Sequence, residues 1–380
     1  MIISPQILVF ACLASAAGRK IQNTGGSIAL EEAWSIPELV SPSSNTGGGG
    51  LSDAVRSNLL DIHNQRLQGM DQNHVDYMVI SCAEPCIQGI PDPIQAQNMS
   101  VHVNNMLAAT ISNNTERFGG FASLAMQNAT AAALELERTV KEFGFLGAML
   151  NDYQQSGSDG QTLLYYDQPE YDVFWQKVSD LDVPVYFHPR TSIDIITKLM
   201  FAHAPVLEGA VQEFAAILST HILGCVLLST EKLVQLNETS AAWYTDYASM
   251  GSSKGLRYII SRFPKLKIIV GHLGERIPSD LNRIDTRLIR QGGNANMEQN
   301  VTTYFHTNIF ETTAGNFATD LLHFHIGQIG LDRIMFSIDY PFVQIPEATS
   351  WIQGLETSMN KQDFNSLQRG LAEKVLGLNK

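Results

Sequence analysis

The stretch KLKIIVGHL, residues 265–273, carries an unbroken β-branched apolar run, Ile268-Ile269-Val270, that leads into Gly271 and His272. A strand with one wet face alternates polar and apolar residues; an unbroken run belongs to a strand covered on both sides, as in a parallel sheet. Seven further stretches share this character: SIALEEAW (27–34), VDYMVISC (75–82), GGFASLAM (119–126), FLGAMLND (145–152), VPVYFHP (183–189), IFETTA (309–314) and RIMFSIDYP (333–341). Helix-compatible segments separate them, such as DPIQAQNMSVHVNNMLAATISNN after the second strand and ATAAALELERTVKEF after the third. Eight strands, each followed by a helix, is the count of a (β/α)8 TIM barrel, an α/β fold. The rival is an open doubly wound sheet, but no G-x-G-x-x-G follows the first strand.

Composition narrows the class. The chain has 380 residues, 44% hydrophobic and 17% charged, so it can bury a large core. With 25 Lys+Arg against 38 Asp+Glu the formal charge is −13. That balance argues against a general nucleic-acid binder, which needs a basic face against phosphates. No stretch has the ~20 apolar residues needed to span a bilayer. Residues 1–17 read as a signal peptide: an apolar run from Ile7 to Ala17 that ends in small residues, though with no Lys or Arg before it. Five N-x-S/T tripeptides, at Asn98, Asn113, Asn128, Asn237 and Asn300, agree with a secretory route, and a cytoplasmic chain is the alternative. Loss of the leader would leave Cys82, Cys86 and Cys225, which allow at most one disulfide, and Cys82/Cys86 has no second cysteine pair with which to make a structural zinc site. Residues 27–380 then read as one barrel, enlarged by a Ser/Gly-rich loop (41–50) and an insertion within 191–255.

In such a barrel the chemistry sits where strands end. The strand ends carry Glu31 and Glu32, Asn151 and Asp152, His188, His272, Thr312 and Thr313, and Asp339. Two histidines and several carboxylates on one rim suit a divalent metal ion. Each alone has a plainer explanation. Alternation turns Glu32 away if Glu31 faces in, His188 could cap the Pro189-Arg190 loop, and Asp339 could open a turn. The shared position at the ends of different strands is what favours a site. His63, His74, His102, His203, His221, His306, His323 and His325 lack that placement and read as surface or helix residues.

These residues fall within a wider resemblance. IALEEAW (28–34), GQTLLYYDQPEYDVFW (160–175), VPVYFHPR (183–190), FPKLKIIVGHLGE (263–275), RID (283–285), TTAGNF (312–317) and RIMFSIDYPF (333–342) together resemble the amidohydrolase-2 decarboxylases. The likeness is greatest to the 2,3-dihydroxybenzoate and γ-resorcylate (2,6-dihydroxybenzoate) decarboxylases. It runs from about Ile28 to the C-terminus, interrupted over 40–55 and 191–255. It implies a barrel of the metal-dependent hydrolase type that holds one divalent ion through Glu31, His188 and Asp339. His272 and Glu275 are similar to the catalytic His and its Glu partner in G-H-x-G-E, and Arg283 resembles a substrate-pocket residue. A homo-oligomer, dimer or tetramer, is also implied. Two departures stand out. Many members carry Glu-x-His on the first strand, whereas position 33 here is Ala33, as in the fungal 2,3-dihydroxybenzoate enzymes. One His and two carboxylates form a harder ligand set, which suits Mg²⁺ or Mn²⁺ better than Zn²⁺. The second departure is EFAAILSTH (213–221), with Ile217 near a position that is Glu in the family.

The expected substrate is therefore an aromatic carboxylate with an ortho hydroxyl, which loses CO₂ without an oxidant or an organic cofactor. Asp339 is the expected proton donor to the ring, and His272, oriented by Glu275, the group acting on the hydroxyl. Two rivals stand beside it: a metal-dependent hydrolase of a lactone or amide on the same barrel, and a barrel that binds an aromatic ligand without turning it over.

Overall fold

A computed structural model describes residues 19–40, 51–191, 193, 259–290 and 299–379. The leader (1–17), the Ser/Gly-rich loop (41–50), nearly all of the 191–255 insertion with EFAAILSTH, and the side chains of His203 and His221 lie outside the described residues.

All eight expected strands are present and run parallel: β1 (Ser27–Trp34), β2 (Val75–Cys82), β3 (Phe118–Gly120), β4 (Ala148–Asn151), β7 (Pro184–His188), β8 (Lys267–Val270), β9 (Ile309–Thr312) and β10 (Ile334–Met335). They form two arcs, β1-β2-β3 and β10-β9-β8-β7-β4. Backbone bonds join the arcs at one seam, where Ala122 N–H donates to Gly147 O (2.8 Å) and Met149 N–H to Ala122 O (3.1 Å). At the other seam, between β1 and β10, Ala33 N–H donates to Tyr340 O (2.7 Å) and side chains do much of the rest. A short antiparallel hairpin, β5 (Gln154–Ser156) with β6 (Thr162–Leu164), follows β4 and was not among the expected strands.

Alternation divides the strand residues into two cores. Ile28, Leu30, Tyr77, Val79, Phe121, Tyr186, Ile269, Phe310 and Met335 fill the barrel, and Leu371, Val375 and Leu376 of the last helix (Leu371–Leu376) join them. Ala29, Met78, Ile80, Val185, Phe187, Ile268, Val270 and Ile309 face outward against the helical layer. That layer is well specified locally. In the helix Ala129–Phe143, Asn128 Oδ1 accepts from Ala131 N–H (3.0 Å), and Gly144, at φ +68°, ends the helix in a conformation that glycine adopts without penalty. Its neighbour Asp172–Leu181 buries Phe174 completely, worth about 1.5–3 kcal/mol. No described helix is long and apolar enough to cross a membrane.

One irregularity decides the site. Along β1, Ala29 pairs with Met78 but Glu32 pairs with Ile80, three residues set against two. Simple alternation from Ile28 and Leu30 would carry Glu32 into the barrel. The bulge shifts the parity, so Glu31 follows Leu30 inward and Glu32 turns away.

Candidate metal centre

Glu31, His188, His272 and Asp339 stand at the ends of four strands, and one ligand atom from each falls within 4.8 Å of the others. The meeting point is Glu31 Oε1, which lies 3.0 Å from His188 Nε2 and 3.2 Å from His272 Nε2. Asp339 Oδ2 is 3.7 Å from His272 Nε2. The expected site residues Glu31, His188, His272, Glu275 and Asp339 are thus brought together. Arg283 is not: it is exposed on the helix Leu281–Arg290 and does not line the cleft over the cluster. That cleft is lined by Ala33, Ser81, Cys82, Ala83, Glu84, Met149 and Phe342 together with Glu31, His188 and Asp339.

The outer contacts orient the inner ones. His188 Nδ1 lies 2.5 Å from Pro189 O, a carbonyl that can only accept, so the proton sits on Nδ1. His272 Nδ1 lies 2.5 Å from Glu275 Oε1, with the same result. Nε2 is then the nitrogen each ring turns to the centre, the arrangement of metal-bound histidines whose other nitrogen is hydrogen-bonded. Glu31 Oε2 accepts from the Tyr186 hydroxyl, which also hydrogen-bonds Thr312 Oγ1 at 2.6 Å. Oε1 is buried and is faced by the two Nε2 atoms. A buried carboxylate oxygen faced by two imidazole nitrogens needs a positive charge, and two carboxylates with two imidazoles fit one divalent cation.

The electrostatics agree. Burial pushes the Glu31 carboxyl up, but the His272 and His188 charges outweigh it and the net shift is down. Burial works against charge on His188, yet Glu31 raises it to about 9. His272 goes well above its usual range because Glu31 and Glu275 overcome its burial. Asp339 is pushed up by burial, with Glu31 adding to the effect against His272. Without a cation this field favours a proton on each Nε2, and a divalent ion held there would take the place of those protons.

Backbone geometry aims the two movable groups. Strand β8 stops at Val270, short of the 273 expected, because residues 272–276 all have left-handed φ, between 49° and 67°. This turn brings His272 back over the barrel mouth, and Asn316 Nδ2 holds it by donating to His272 O (3.2 Å). Asp339, at φ +78°, is likewise left-handed. Such strain in non-glycine residues gathers at functional sites.

Several residues support the cluster in ways that their place in the sequence did not show. Tyr186 shares a strand face with His188, two residues on, and alternation alone could have exposed it. Asn151 Nδ2 donates to His188 O (3.0 Å), fixing the end of β7. Glu32 is fully buried, and burial pushes its carboxyl up to about 8 against the pull of Arg66 and two N–H donors. His325 lies on a helix, as expected, but is completely buried, with Nδ1 at 3.0 Å from Glu311 Oε1 and Nε2 at 3.2 Å from Ser279 Oγ. Cys82 and Cys86 form a disulfide at the cleft edge.

A parallel barrel with such a rim cluster defines a metal-dependent hydrolase-type protein, and sequence comparison places it further. The Amidohydrolase family profile matches residues 57–379, and the chain belongs to that family. It is 34% identical over 357 residues to the γ-resorcylate decarboxylase of Polaromonas sp., covering 93% of this chain and 99% of that one. Among solved structures, 2,6-dihydroxybenzoate decarboxylase from Rhizobium superposes with a TM-score of 0.76 at 32% identity, covering 93% of this chain and 99% of that one. A dihydroxybenzoic acid decarboxylase from Polaromonas sp., with bound manganese and the inhibitor 2-nitroresorcinol, gives 0.77 at 32% identity, with 93% and 98% covered.

Proposed function

We propose that the chain is a metal-dependent, non-oxidative decarboxylase of an ortho-hydroxy aromatic acid such as a dihydroxybenzoate. The observation that carries this reading is the convergence of His188 and His272 Nε2 on Oε1 of Glu31, beside Asp339. The relatives, which bear the names of dihydroxybenzoate decarboxylases, support it.

Glu31, His188 and Asp339 would hold the ion, and the His272 Nε2 lone pair borders the same point. When bound, a divalent cation supplies Lewis acidity, which draws the phenolic and carboxylate oxygens together and accepts charge from the ring. The apolar lining from Ala33, Ala83, Met149 and Phe342 faces the ring and limits water. Asp339, with its carboxyl raised, carries the proton that passes to the ring carbon bearing the carboxylate. The bond to the carboxyl carbon then breaks, its electron pair returns to the ring, and CO₂ leaves. His272, held by Glu275, takes the proton of the ortho hydroxyl. Once CO₂ has left, His272 returns that proton to the phenolic oxygen and a solvent proton restores Asp339. One proton is thus taken up per CO₂ released, and the cycle balances without an oxidant.

Asp339→Asn is expected to abolish CO₂ release from 2,6- and 2,3-dihydroxybenzoate while the circular dichroism spectrum stays that of the wild type. Full activity in that variant would remove the assignment. Passage through the secretory pathway and a dimeric or tetrameric assembly complete the reading. The Cys82–Cys86 disulfide supports the former, since such bonds persist in oxidising compartments. Glycosidase-induced mass shifts and sedimentation would check the two.

A further inference from the structure

The seam between β1 and β10 contains a lock made of two side chains, neither of which touches the cluster. Ser337 Oγ accepts from two successive amides of the β1 bulge, Leu30 N–H (3.0 Å) and Glu31 N–H (2.8 Å). The same hydroxyl donates to Glu32 Oε1 (3.1 Å). Glu32 Oε1 also accepts from Ile338 N–H (3.1 Å), and Oε2 from Tyr340 N–H (3.1 Å). With Ser337 Oγ–H, Ile338 N–H and Tyr340 N–H all donating to it, the side chain is held as a carboxylate against the pull of its burial. It grips the amides on both sides of Asp339, the residue at φ +78°. The Arg66 guanidinium backs it with opposite charge and itself donates to Ala33 O (2.6 Å).

The consequence is geometric. Glu31 is held inward by a bulge whose amides end on Ser337, and Asp339 is held left-handed by amides that end on Glu32. Ser337 and Glu32 bond to each other. The spacing of the two cluster carboxylates is therefore fixed through a single acceptor–donor chain, Glu31 N–H to Ser337 Oγ to Glu32 to the 338 and 340 amides. We infer that Glu32 is a positioning residue that sets Asp339 against Glu31, and that Ser337 is its partner in doing so. This rests on the proposed roles of Glu31 and Asp339 and adds a residue that acts through them.

Glu32→Gln is the decisive substitution. It keeps shape and burial, but an amide has one acceptor oxygen where the carboxylate has two. Its NH₂ must face either the Ile338 or the Tyr340 amide, donor against donor, so one side of Asp339 is released. On the full-length protein three readings are expected. In hydrogen-exchange mass spectrometry of the metal-free protein, peptides spanning 334–342 lose protection while those from β2 and β7 keep it. Mn²⁺ affinity, followed by the electron paramagnetic resonance signal of the free ion, weakens 10–100-fold. With 2,6-dihydroxybenzoate, kcat falls about 100-fold while KM stays within about threefold. Should Glu32→Gln not fold, Ser337→Ala takes its place, leaving Leu30 and Glu31 N–H without an acceptor; it is expected to deprotect peptides over 27–34 and to weaken Mn²⁺ binding. Unchanged exchange over 334–342 in a folded Glu32→Gln protein, or in its place unchanged exchange over 27–34 in Ser337→Ala, would overturn the inference. So would a wild-type Mn²⁺ affinity in the substituted protein. A wild-type enzyme that releases no CO₂ would instead refute the decarboxylase reading, and the exchange comparison would still decide the lock.

Discussion

Gly271, the first residue past β8, is a place where a single methyl group should disable the centre without disturbing the fold. A Cβ built there meets Glu31 Oε2 at 2.3 Å and the Tyr186 hydroxyl at 3.1 Å, where ordinary contact begins at 3.4 Å. The backbone is not left-handed at this position, so Gly271→Ala brings no φ strain; its whole effect is steric. The carboxylate must retreat by about 1 Å to regain van der Waals distance. Tyr186 cannot follow without losing Thr312 Oγ1, now 2.6 Å away, because every one of these groups is buried. A displacement of about 1 Å in a reacting or ligating group costs on the order of 100-fold in rate. The assay is Mn²⁺ binding and CO₂ release from 2,6-dihydroxybenzoate, run beside Gly354→Ala, whose added Cβ has nothing within 4 Å. We expect Gly271→Ala to lose about two orders of magnitude in kcat/KM and Gly354→Ala to lose nothing. A Gly271→Ala enzyme with wild-type affinity and turnover would show that Glu31 Oε2 is not held where the Tyr186 bond puts it, and the orientation argument for Oε1 would go with it.

Tyr186→Phe removes only the hydroxyl that occupies Glu31 Oε2, so metal affinity should drop about 10-fold, measured by chelator competition. His188 supplies the pH dependence: its folded-state value of about 9 exceeds the usual 6.5. In the metal-free protein its contribution to stability is complete below about 6.5 and is lost as pH rises through 9, visible as a falling denaturation midpoint. Metal affinity should run the other way over the same window, rising about tenfold per pH unit for each proton displaced, a slope that isothermal titration in two buffers can count. Away from the site, Asp76 accepts from Arg369 Nη1 (2.8 Å), Thr24 N–H (2.8 Å) and Gly26 N–H (2.9 Å), both charged side chains being buried. Asp76→Ala leaves Arg369 with Glu373 Oε1 (2.7 Å) as its remaining carboxylate and strips Thr24 and Gly26 N–H of their acceptor, and should cost about 1–3 kcal/mol in urea unfolding.

The fold was legible because buried parallel strands leave unbroken apolar runs. β1 and β2 match their expected bounds at both ends, being buried along nearly their whole length. β10 did not: RIMFSIDYP reads as nine strand residues, yet only Ile334 and Met335 pair with β9, and the rest bends through Ser337 and Asp339 to build the seam. Rim placement of Glu31, His188, His272 and Asp339 came from strand ends alone. What stayed hidden depends on backbone irregularities with no side-chain signature. The β1 bulge, which decides which of two adjacent glutamates faces inward, is invisible in ALEEAW, as is the left-handed turn after Val270. Arg283 shows the opposite case: a family motif fixes its identity and its helix, where the structure leaves the residue exposed.

The turn at 272–276 bears on how this protein can be improved. Four of its five residues are L-amino acids in a conformation natural to their mirror images, each at a disadvantage of about 1 kcal/mol or more. Selection for heat resistance alone would drift toward glycine or asparagine at Leu273 and Arg276, where the backbone would relax. The same relaxation would let the imidazole of His272 wander from its carboxylate partner. Thermal robustness and chemical competence therefore pull in opposite directions within these five residues, and libraries built for durability would do best to leave them untouched.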